Sequence, residues 1–139
     1  MDGNASLSRL RGGDVDTVSF VRNYVEFRID CNVLRALVPP EIQLADGRRF
    51  KFPAPGSRDA LCSLINATVE SAIEVGTVDS DDWRIEVRTD SGELLIISLT
   101  DDPGGPESAH LVPADAAGRL EVARMFIWQL GTGSCSRGG

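Results

Sequence analysis

Apolar and polar residues alternate along most of this chain with the two-residue period of half-buried strands, not the longer period of helices. Val25, Phe27 and Ile29 interleave with Glu26, Arg28 and Asp30, and Trp83, Ile85 and Val87 interleave with Arg84, Glu86 and Arg88. A two-residue turn at Arg22-Asn23 pairs Phe20 with Val25 and Val18 with Phe27, which keeps one face apolar. Val33, Leu34 and Leu37 follow as a short strand or helical turn ended by Pro39-Pro40. Glu41–Pro53 reads as a second hairpin around Asp46-Gly47, with Leu44 expected opposite Phe50 and Ile42 opposite Phe52. A third hairpin turns at Asp90-Ser91-Gly92, where glycine suits the left-handed position. Its register sets Val87 against Leu95, Ile85 against Ile97 and Trp83 against Leu99. Leu94-Leu95-Ile96-Ile97 is apolar on both faces, which predicts a central strand covered on each side. An uncovered Ile96 face would instead be a contact between two copies of the chain.

The helical period is met in one place. Leu61, Leu64 and Ile65 follow Ser57, a suitable N-cap, and Asp59, an acid in the first turn. Asn66 can close the helix in a left-handed conformation. Strands are also expected at Val69–Val75, at Ser108–Val112 and at Met125-Phe126-Ile127-Trp128 within Leu120–Leu130. The predicted class is α+β: a mostly antiparallel sheet of about seven or eight strands with one short helix near 57–66, sandwich-like or open-barrel-like. Residues 1–9 are expected to be flexible, 10–130 to form a single domain, and 131–139, small and polar, to be disordered.

The strands also repeat. Val25-Glu26-Phe27-Arg28-Ile29-Asp30 matches Ile85-Glu86-Val87-Arg88-Thr89-Asp90 at a spacing of 60, and Leu10, Gly12 and Val15 match Leu64, Asn66 and Val69 at a spacing of 54. Gly12 and Asn66 both tolerate a positive φ. The chain therefore reads as partly duplicated ββ units.

At 139 residues the chain is long enough to bury a core without a disulfide or metal. Charge changes the picture more than size does. The net charge of −7 is unevenly spread. Residues 9–58 carry nine bases and six acids, whereas residues 70–107 carry eleven acids and two bases, Arg84 and Arg88. An acidic half argues against nucleic acid, whose ligands need a basic face. It suits a basic protein partner. No apolar run reaches membrane-spanning length, so no membrane association is expected. Met1-Asp2-Gly3-Asn4 shows no leader pattern, and the expected compartment is the cytoplasm.

Leu10–Asp30, Arg58-Asp59-Ala60-Leu61-Cys62-Ser63-Leu64-Ile65, Glu93–Leu99 and Gly105-Pro106-Glu107-Ser108-Ala109 together resemble a group of small bacterial proteins. That group is similar in size and layout to the immunity-type proteins of bacterial toxin systems. The resemblance spans most of residues 10–128 and rests on apolar and turn patterns. It implies a protein-binding role and carries no catalytic residue.

Reactive chemistry is sparse. Cys31, Cys62 and Cys135 are odd in number and widely spaced, and with His110 they lack the paired spacing of a zinc site. Asp79-Ser80-Asp81-Asp82 has the acids of a calcium loop without its glycine, and Trp83 stands at a ligand position. Asp101-Asp102 before Pro103-Gly104-Gly105 reads as a turn. His110, with Glu107 and Ser108, invites a hydrolase reading but lacks a nucleophile elbow. Trp83 and Trp128, each within an apolar strand, are expected in the core. No enzyme activity, cofactor or metal is expected. The leading expectation is a binding protein whose acidic surface, built from Asp79, Asp81, Asp82, Asp101, Asp102 and Glu107, meets a basic partner, with a homodimer allowed. The alternative is a small-molecule-binding domain with a pocket between sheet and helix near Cys62 and Trp83.

Overall fold

The computed structural model describes residues 3–22, 24–101, 107–129 and 133–136, the last four by their backbone. A short helix, α1 (Gly3–Leu7), and a 3-10 turn (Ser8–Leu10) lead into β1 (Val15–Val21), β2 (Tyr24–Ile29) and β3 (Asn32–Ala36). β4 (Glu41–Gln43) and β5 (Arg49–Lys51) complete the first half, and α2 (Ser57–Cys62) opens the second. β6 (Val69–Val75), β7 (Arg84–Thr89), β8 (Leu94–Ser98), β9 (Glu107–Val112), β10 (Phe126–Gln129) and β11 (Gly133–Ser136) complete it.

The strands form two antiparallel sheets, ordered β1-β2-β3-β9-β10-β11 and β5-β4-β8-β7-β6. One buried cluster draws Phe27, Leu34, Leu111 and Trp128 from the first sheet and Ile42, Ile85, Leu95 and Ile97 from the second. This is a sheet-on-sheet arrangement with apolar inner faces, which burial of about 25 cal/mol per Å² stabilises.

The hairpin registers follow from turn chemistry. Phe20 faces Val25 and Val18 faces Phe27, with Arg22 at φ 40°; Asn23 lies outside the described residues. Val87 faces Leu95, Ile85 faces Ile97, and the Leu99 N–H bonds the Trp83 carbonyl at 2.9 Å, with Gly92 at φ 95°.

Several expectations are corrected. The 41–53 hairpin pairs Ile42 with Phe50 rather than with Phe52. Asp46 sets this register. Its Oδ1 accepts the Arg48 N–H at 3.0 Å while Gly47 takes φ 93°, so Leu44 closes on Arg48. That hydrogen bond is also the main reason the Asp46 carboxyl is held below its ordinary pKa. Ser57 is not the N-cap of α2. Gly56 occupies that position at φ 84°, where a Cβ would stand 3.0 Å from the Phe50 ring. Residues 3–10 are helical, and Leu7 and Leu10 bury completely against the core. Gly133–Ser136 pairs with β10, whose open edge binds backbone irrespective of side chain. β11 is one of the strands beyond the expected seven or eight. Ile96 is 9% exposed: it sits in register between Glu41 and Glu86, which are salt-bridged to Arg49 and Arg84, so it is covered within the chain.

The two halves repeat the same bonds reciprocally. Gly12 N–H donates to the Val69 carbonyl at 2.8 Å, and Asn66 N–H donates to the Val15 carbonyl at 2.8 Å. Val15 N–H donates to Ala67 while Val69 N–H donates to Gly13; Asp30 N–H donates to Asp14 while Asp90 N–H donates to Thr68. Gly12 and Asn66 take φ 83° and 77°. Both β1 and β6 break register after their first residue, between Val15 and Thr17 and between Val69 and Ser71. The equivalence crosses the sheets: β4, from the first half, pairs with β8, and β9, from the second, pairs with β3.

Candidate functional site

β1 and β6 start side by side at the reciprocal bonds and run outward in opposite directions, so each ends at an opposite pole of the molecule. The pole beyond β6 carries Asp79, Asp81 and Asp82. Where the first half turns in two residues, the second inserts a longer connection between β6 and β7. Gly76 opens it at φ 79°. Thr77 and Ser80 close a turn through Ser80 N–H to the Thr77 carbonyl (2.9 Å) and Thr77 N–H to Ser80 Oγ (3.0 Å). Val78 packs partly buried against the core. The loop is thus anchored by one apolar side chain and one closed turn, and it leaves Asp79, Asp81 and Asp82 exposed.

Asp82 also accepts from Arg84 Nη1 at 3.3 Å, and Arg84 donates its Nε to Glu86 at 2.6 Å, which raises the arginine above its usual pKa. Asp79 and Asp81 make no ion pair among the described residues. Ile73, on the outer face of β6, is 44% exposed beside this loop. The other expected contributors behave differently. Asp101 comes to the same end of the sheet but is paired with Lys51 at 2.9 Å. Glu107 lies on the other sheet, bound to His110. Asp102 lies outside the described residues.

Two polar constellations go beyond the sequence reading, which named only His110 with Glu107. Glu74 sits on β6 directly before the acidic loop, and both its oxygens are used. Oε2 accepts from Trp83 Nε1 at 2.6 Å and Oε1 accepts from Trp128 Nε1 at 3.1 Å. Both indoles are buried, as expected, and this single carboxylate joins the two sheets. The second constellation lies on the outer face of the first sheet. Arg35 Nε donates to Glu26 at 2.8 Å, Arg35 Nη1 lies 3.0 Å from His110 Nδ1, and His110 Nε2 lies 2.6 Å from Glu107. Arginine has no acceptor, so its N–H must donate to Nδ1, and the imidazole proton sits on Nε2 facing Glu107. The lone pair a general base would use is therefore occupied by Arg35, which argues against hydrolysis through His110.

Comparison with protein-family models, curated proteins and solved structures found no match. Function rests on the site alone.

The pocket expected near Cys62 and Trp83 is not formed by these residues together. α2 packs on β4 and β5, whereas Trp83 directs its indole to β6 at the other edge of that sheet. An open groove of about 530 Å³ lies elsewhere, lined by Arg9, Asp30, Cys31, Asn32 and residues 114–118.

Proposed function

We propose that this chain is a non-enzymatic protein-binding domain of the immunity-like type, and that it engages a basic face of a partner through the acidic pole beyond β6. The observation that carries the reading is the anchored insertion at 76–82. The repeat scaffold closes this hairpin with two residues in the first half, so the added residues are not needed to pair the strands. They form an ordered platform displaying Asp79, Asp81 and Asp82 beside exposed Ile73. Preorganised charge of one sign speeds encounter with a partner of the other sign, and an adjacent apolar side chain supplies area that excludes water.

Co-purification from the native host at low and high salt tests this. A basic protein retained at low salt and lost at high salt, or lost with Asp79→Lys/Asp81→Lys, is the expected result. Retention indifferent to both salt and the double substitution would overturn the electrostatic reading. Absence of any retained protein would count against the function itself.

A further inference from the structure

The two edge strands that the repeat makes equivalent are treated differently. On β6 the Glu74 N–H points out of the sheet and is capped by Asn4 Oδ1 of α1 at 2.7 Å, and α1 lies along that strand. At the edge of β1 the matching residues, at the spacing of 54, are Phe20 for Glu74 and Arg58 for Asn4. Arg58 cannot repeat the cap, because a guanidinium only donates. It lies instead over the Phe20 and Phe52 rings, at 5.7 and 5.1 Å, and its helix packs toward β4 and β5. The edge of β1 beyond Val15 is therefore open among the described residues. In a hairpin with Val21 facing Tyr24 across a two-residue turn, the backbone groups of Val18 and Phe20 are the ones directed outward.

We infer that a second copy of this chain occupies that edge, β1 pairing antiparallel with its counterpart about Ser19 to give one sheet continuous across two molecules. In this register the open segment uses the outward groups of both Val18 and Phe20 against themselves. Val18 and Phe20, both on the inner face, oppose each other and exchange the four outward hydrogen bonds. Thr17 opposes Val21, which is 37% exposed on the outer face. Asp16 opposes Arg22, and both are exposed and make no ion pair among the described residues. Moving the centre to Val18 would drive the partner strand into Asn66 and Ala67, which already bond the Val15 edge. The surface is at the pole opposite the acidic loop, so this inference is independent of the proposed function.

Sedimentation of the full chain tests it, with Asp16→Arg and Arg22→Asp as variants. The wild type should be a dimer. Each reversal places like charges together twice across the two-fold and should weaken dimerisation roughly tenfold or more. An equimolar mixture of the two variants restores both opposite-charge pairs and should return the dimer as a heterodimer. Asp81→Lys, at the other pole, should leave the association unchanged. A wild type that stays monomeric at high micromolar concentration overturns the inference. So does a dimer that neither reversal weakens, or a mixture that fails to reassociate.

Discussion

Glu74 shows at the scale of one residue how a β-bulge hides a buried acid. Read with strict alternation, β6 would put Val69, Ser71, Ile73 and Val75 on one face and send Glu74 to water. The register break after Val69 reverses the parity, so Ala72 and Glu74 turn inward and Ile73 turns out. The signal was present in the first half, where Val15, Val18 and Phe20 carry the inward positions at the same uneven spacing. Glu74→Ala would strand two buried indole N–H groups, at about 1–3 kcal/mol each. Urea titration followed by tryptophan fluorescence should show a stability loss of about 2–6 kcal/mol for the two groups together, and a smaller loss for Glu74→Gln, whose carbonyl still accepts. A loss under 1 kcal/mol, by the same measure, would mean that water or another acceptor replaces the carboxylate.

Among elements, legibility followed turn chemistry. The hairpins at 22–23 and 90–92 were readable because the turn residues and the apolar faces specify the same register. The hairpin at 41–53 was not, since an Asp46 side-chain bond moves the loop and leaves no trace in hydrophobic spacing. α1 was missed because five residues carry no helical period; what orders them is the burial of Leu7 and an asparagine cap on a neighbouring strand. The reciprocal turns at Gly12 and Asn66 allow a direct comparison between elements. A Cβ at Gly12 would meet nothing within 4 Å, so Gly12→Ala should cost only the left-handed backbone term, about 1–2 kcal/mol. Gly12→Asn, which copies the equivalent turn, should cost visibly less in chemical denaturation. Equal losses would show that the two turns are not energetically interchangeable.

For the whole molecule, the acidic half expected from charge counting resolves into one loop and several internal ion pairs. Lys51 neutralises Asp101, and Arg84 bridges Asp82 and Glu86, so the segment's −9 is not all presented to a partner. Charge counts alone could not distinguish these, because pairing depends on which strands become neighbours. The sheet order depends in turn on β4 and β9 crossing between the halves. That crossing has a consequence for the chain's divisibility. Neither half owns a complete sheet: the first lends β4 and β5, and the second lends β9, β10 and β11, to the sheet begun by the other. A cut between Pro55 and Gly56 should yield two fragments that are unfolded apart by circular dichroism and assemble into one native particle when mixed. A fragment that folded alone would disprove this interdependence. Fragments that fold only together would make the protein, in effect, an obligate heterodimer whose subunits are joined by a peptide bond.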